Sequence, residues 1–142
     1  MKEKVLVTIT GSHETDGETE SIETIQPGNY KFLQGKHFVQ YEEVLEESLS
    51  GKPVCAKCLL KISEDSVTLT KKGPAQTEMF FKTGEDYTTL YDTPFGSLQM
   101  RLYTTALDIQ ESEDSLTITI DYSMDMNYSH VSDCNIKIKI TS

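Results

Sequence analysis

Apolar and polar residues alternate along several stretches of this chain, and that alternation restricts the fold more than any other feature. A period of two puts successive side chains on opposite faces of an extended strand, one face buried and one in water. Near the C-terminus Ile136, Ile138 and Ile140 alternate with Lys137, Lys139 and Thr141. Upstream, Leu116, Ile118, Ile120, Tyr122 and Met124 alternate with Thr117, Thr119, Asp121, Ser123 and Asp125. Val54, Ala56, Cys58, Leu60 and Ile62 share a face opposite Cys55, Lys57, Leu59 and Lys61. Leu98, Met100 and Leu102 repeat the pattern opposite Gln99, Arg101 and Tyr103. The 17 threonines favour the same state, because a β-branched side chain fits a pleated surface.

Turn residues punctuate these runs. Asp16-Gly17 is a strong two-residue hairpin signal and Gln34-Gly35 a weaker one. Pro27-Gly28-Asn29, Glu64-Asp65-Ser66, Lys71-Lys72-Gly73-Pro74 and Thr83-Gly84-Glu85-Asp86 also read as reversals. Residues 42–49 carry a faint helical stripe at Val44, Leu45 and Leu49. Ser50-Gly51-Lys52-Pro53 follows at once, so a strand end running into an acidic loop is preferred. About ten short strands result, an all-β antiparallel meander with no crossover helix for a parallel sheet. Such a meander leaves two exposed edges unless it closes into a barrel.

The chain of 142 residues is the length of one domain, residues 1–142, and its net charge is −10. That balance disfavours nucleic acid and anionic membrane as partners, since both demand a basic face. The apolar run Val5-Leu6-Val7 is too short for an export signal, and no stretch approaches the roughly 20 apolar residues that span a bilayer. Three cysteines, an odd number, do not make a disulfide framework. A cytoplasmic protein with reduced thiols, monomeric or homodimeric, is the expectation.

The segment Leu90-Tyr91-Asp92-Thr93-Pro94-Phe95-Gly96-Ser97-Leu98-Gln99-Met100-Arg101-Leu102-Tyr103-Thr104 resembles the central motif of the YwiB-like family of small bacterial proteins. The resemblance extends to the Val7–Gly11 strand, the Asp16-Gly17 turn, the Tyr41–Glu43 strand end and the closing Asn135–Ile140 run. It implies a calycin or lipocalin-like barrel, in agreement with the periodicity, and it implies no catalytic residue.

Few residues point to chemistry. Cys55-Ala56-Lys57-Cys58 has redox spacing, but on a strand residues three apart point to opposite faces, away from the helix N-terminus such pairs use. Zinc would need further ligands from Cys134 and a histidine, without a second close pair. His13, His37 and His130 are isolated and read as surface or strand-end residues. No catalytic residue, cofactor or metal site is therefore expected. Arg101, the only arginine, sits near Tyr91 and Tyr103 and could hold an anionic group, although its parity places it opposite the apolar face. Together with Tyr41, these are the candidate ligand-binding residues. The expectation is a non-enzymatic barrel binding a small, partly apolar molecule in its interior. A protein-interaction module using an acidic surface or sheet edge is the alternative, and an enzyme the third.

Overall fold

Ten strands form, and the chain meanders through them in order. They are β1 (Lys4–Thr15), β2 (Glu18–Leu33), β3 (Lys36–Leu45), β4 (Val54–Ile62) and β5 (Val67–Lys72), then β6 (Thr77–Phe81), β7 (Asp86–Thr93), β8 (Gly96–Glu111), β9 (Ser115–Met126) and β10 (Ser129–Thr141). This computed structural model describes residues 1–15, 17–45, 54–73, 76–94 and 96–142. No helix is present among the described residues, so none is long and apolar enough to cross a membrane.

The strands form one antiparallel sheet in the order β6-β5-β4-β3-β2-β1-β10-β9-β8-β7. Every ladder joins strands consecutive in the chain except β1–β10, which brings Leu6 opposite Thr141. Among the described residues the two ends of the sheet, β6 and β7, are joined by one bridge, from Gln76 just before β6 to Asp92 of β7. There the Gln76 N–H donates to the Asp92 carbonyl at 2.8 Å and the Asp92 N–H to the Gln76 carbonyl at 3.0 Å. The result is a nearly closed barrel, in which the bridge pairs the Gln76 and Asp92 backbone groups across the seam.

Turn chemistry follows the sequence at most corners. Gln34 and Gly35 have φ of 52° and 77°, the pair of positive angles a tight hairpin uses. The Asp16-Gly17 loop joins Thr15 to Glu18, with Gly17 at φ 80°; Asp16 itself lies outside the described residues. One reversal does not exist. Pro27-Gly28-Asn29 lies inside β2, paired to β1 throughout. A side chain at Gly28 would meet the Gln40 carbonyl at 2.9 Å and the Val7 methyl at 3.0 Å, so this glycine serves close strand approach rather than a turn. Residues 42–45 are strand, as preferred; 46–49 lie outside the described residues.

The alternation defines the interior. Val5, Val7, Val39, Leu60, Ile62, Val67, Phe81, Leu102, Leu116, Ile118, Ile120, Ile138 and Ile140 join one buried cluster. Leu98 departs from its expected face and is exposed, because it sits at the β7–β8 hairpin end, beyond the packed core. A bulge between Thr104 and Ala106 moves β8 out of phase, so Met100, Leu102 and Thr104 are buried before it while the half-buried Leu107 and Ile109 pack on the core after it.

Candidate functional site

The barrel has two ends of different chemistry. One collects the C-terminal ends of the even strands. Here the Tyr30 hydroxyl and His37 Nδ1 share a hydrogen bond of 2.7 Å, and His37 Nε2 lies 3.6 Å from Glu111 of β8. The Phe32 ring packs at a tilt against the same imidazole, 4.9 Å between centroids. His37 is therefore a buried bridge across the barrel; of the two expected placements, surface or strand end, it takes the strand end, as the second residue of β3. His13 and His130 are more exposed and pair with Glu20 and with Asp125 and Asp133 respectively.

At the other end the inward-facing side chains turn polar. Lys71 of β5 bonds Glu43 of β3 at 3.0 Å, and Cys58 Sγ lies 3.9 Å from the same carboxylate. Beside them Tyr41 is buried, and among the described residues its hydroxyl has no hydrogen-bond partner, nor does a buried polar atom of Gln26, Thr77 and Thr104. Burial, the neighbouring Cys58 thiol and the Glu43 carboxylate together hold the Tyr41 phenol well above its ordinary range. Burial also pushes the Cys58 thiol up, so this group stays protonated at neutral pH. Cys55 is exposed on the opposite face, and all three cysteines are free. The Cys55/Cys58 pair cannot work as a redox couple in this geometry, and no group of His, Cys, Asp and Glu suited to a metal occurs among the described residues.

The large concavities lie outside the barrel rather than within it. On the outer face of β2–β5 runs a groove of about 980 Å³, lined among others by Ile25, Pro27, Gln40, Leu59, Lys57 and Lys72. A second hollow of about 950 Å³ continues from it, sharing Asn29, Gln40 and Leu59 and adding Phe38, Leu33 and Met1. The ladder between β2 and β3 stops at Gly28 opposite Tyr41, while β2 runs back along β1 as far as Glu18. Pro27, which has no N–H, stands at that divergence. The groove follows this step in the wall.

Comparison with known proteins agrees with this architecture. The profile of a family described as "Domain of unknown function (DUF1934)" matches residues 7–138. The chain belongs to this family. A relative in Bacillus subtilis (strain 168), named "Uncharacterized beta-barrel protein YwiB", is 31% identical over 111 residues, covering 78% of this chain and 74% of the relative. The crystal structure of the ywiB protein from Bacillus subtilis superposes with a TM-score of 0.82 at 27% identity, covering 100% of this chain and 94% of that one.

The segment that carries the DUF1934 resemblance is the hairpin that closes the barrel. Asp92 provides the bridge to Gln76, Ser97 donates to the Asp92 carboxylate at 2.6 Å, and Gly96 takes φ 126° at the turn. Phe95 lies outside the described residues. Arg101 is exposed on the outer face, where its guanidinium spans Asp86 at 2.8 Å and Asp125 at 3.0 Å, tying β7 to β9 across β8. Tyr103 shares that outer face, Tyr91 is half-buried on β7, and only Tyr41 is fully buried in the interior. The four candidate residues therefore do not converge. The groove on β2–β5 escaped sequence reasoning because Ile25, Phe38 and Leu59 lie on three different strands. Their alignment depends on the strand register.

Proposed function

We propose that this protein is a non-enzymatic binding barrel for a small, partly apolar molecule, and that the molecule lies in the outer groove of β2–β5. The observation that carries this reading is the continuous concavity itself. It joins Ile25, Pro27, Leu59 and Phe38 with the amides of Asn29 and Gln40, on a face that an ordinary strand gives to solvent. Its scale suits a small ligand, and apolar surface rimmed by polar groups is the usual composition of such sites. The interior offers less, because its centre is filled by the buried cluster. In this reading the likeness to calycins lies in the barrel shape, while the binding face has moved outward. Cytoplasmic residence, as a monomer or homodimer, belongs to the same reading and is supported by the free thiols.

Native mass spectrometry of protein purified from its own cells tests the proposal. A bound small molecule is expected on the wild type and should be absent from Leu59→Glu, which places a charge in the groove floor. A clean unliganded mass for the wild type counts against binding, and a ligand retained by Leu59→Glu counts against the groove.

A second reading has its own observation. Residues 18–27 of β2 pair with β1 alone, leaving a free backbone edge among the described residues. Such an edge can accept a partner strand. Glu18, Glu20 and Glu23 along it oppose pairing with a second acidic strand, so the partner would be basic.

A further inference from the structure

We infer that the groove takes an amphipathic anion, with its charged end held between Lys57 and Lys72; this inference rests on the groove reading above. Lys57 of β4 and Lys72 of β5 are direct cross-strand partners, and both are exposed on the outer face. Like charges directly opposite destabilise a sheet. Neither ammonium forms an ion pair among the described residues, and neither does Lys4, which lines the same groove. Glu42 stands opposite Lys57 on β3 without coming into ion-pair range. The groove thus carries Lys4, Lys57 and Lys72 against Glu42, a local charge of 3 − 1 = +2, on a chain whose net charge is −10. An anion at this point would neutralise a repulsion that no described carboxylate relieves from within ion-pair range.

The contrast with the neighbouring residue is instructive. Lys71 faces inward and is satisfied by Glu43 at 3.0 Å. Lys72, one residue later, has no such partner.

The rest of the ligand follows from what lies along the strands. From the row of Glu42 and Lys57 the groove passes Gln40 and Leu59 and reaches Phe38 and Leu33. Four residues of β3 separate Glu42 from Phe38, roughly 13 Å at the rise of an extended strand. The occupant is therefore a soluble, single-tailed molecule with a carboxylate or phosphate at one end and an extended apolar body of about that length. A membrane surface is a poorer match, since the acidic chain as a whole is repelled by anionic lipid.

Decanoate and decanol, titrated separately into the isotopically labelled intact chain below their micelle-forming concentrations, provide the test. Decanoate is expected to shift the amide signals of Ile25, Gln40, Leu59 and Thr70, and to bind at least tenfold more tightly than decanol. The double variant Lys57→Gln/Lys72→Gln should lose that tenfold preference while keeping its melting temperature, and Lys57→Arg/Lys72→Arg should keep the preference. Equal binding of the two compounds overturns the anion inference and leaves the groove intact. No shift at the groove with either compound overturns the groove reading itself. Inorganic phosphate competing as strongly as decanoate refutes the amphipathic part, and binding to anionic phosphatidylglycerol vesicles without binding of decanoate refutes a soluble ligand.

Discussion

The inner and outer faces of β3–β5 are built from alternate residues of the same strands, yet they solve different problems. Inside, Val39, Leu60 and Leu69 pack into the core, and the charges that intrude are answered: Lys71 by Glu43. Outside, Phe38 and Leu59 line a hollow and Lys57 faces Lys72. A face selected only for stability would not place two lysines opposite one another beside apolar surface. The difference separates residues that hold the barrel together from residues that await something outside it.

That separation can be broken experimentally, most strongly from the inside. Phe81→Ala removes a buried ring that packs on Tyr122 at 4.9 Å between centroids, and is expected to cost about 3–5 kcal/mol in denaturant unfolding. A loss under 1 kcal/mol would mean that the core is loosely packed and the contrast overstated.

High pH should strain the inner face next. Tyr41 and Tyr122 are held above the ordinary tyrosine value of 10.0, by burial first and by a nearby cysteine second. Their folded-state values exceed the unfolded one, so the stability they contribute is complete below about pH 10 and is lost as the pH rises beyond it. In an ultraviolet titration the phenols of Tyr41 and Tyr122 should ionise only as the fold is lost. Ionisation of Tyr41 and Tyr122 near pH 10, with the fold intact, would refute this.

The effect of Glu43→Gln should be smaller. It leaves Lys71 without its carboxylate in a half-buried setting, at an expected cost of about 1 kcal/mol by thermal unfolding. Smallest of all, Lys72→Ala should change stability by less than about 0.5 kcal/mol, in the stabilising direction, because it relieves Lys57. If Lys72→Ala instead destabilised as much as Glu43→Gln, the outer face would be structural too.

Much of the barrel was legible in the sequence, and the reasons are local. Ile136, Ile138 and Ile140, or Ala56 to Ile62, announce their faces through a period that only an extended strand has. Features that depend on the register between strands were not legible. Pro27-Gly28 reads as a turn because both residues break regular structure in isolation; it is strand because β1 pairs across it and needs the close approach. His37 reads as a stray histidine because Glu111 lies 74 residues away (111 − 37 = 74) and only barrel closure brings it near. The groove is invisible for the same reason, since Leu59 sits beside Gln40 and Lys57 beside Lys72 only once the strands have registered. For Arg101 and Tyr103 parity alone is enough, since both stand opposite Met100 and Leu102 and face outward.

The β1–β10 ladder also sets how the chain must fold. Each other ladder can form as a local hairpin or a short-looped pair, whereas Leu6 must find Thr141 across 141 − 6 = 135 positions. Each doubling of a loop adds about 0.6 kcal/mol of closure entropy, and roughly six doublings separate a two-residue turn from this one. Two blocks, β1–β6 and β7–β10, can therefore assemble early, and the rate of reaching the native state is governed by the step that joins them. Substitutions at Ile138 or Val7, on facing strands of that junction, should slow folding more than equally buried substitutions in β4, such as at Leu60.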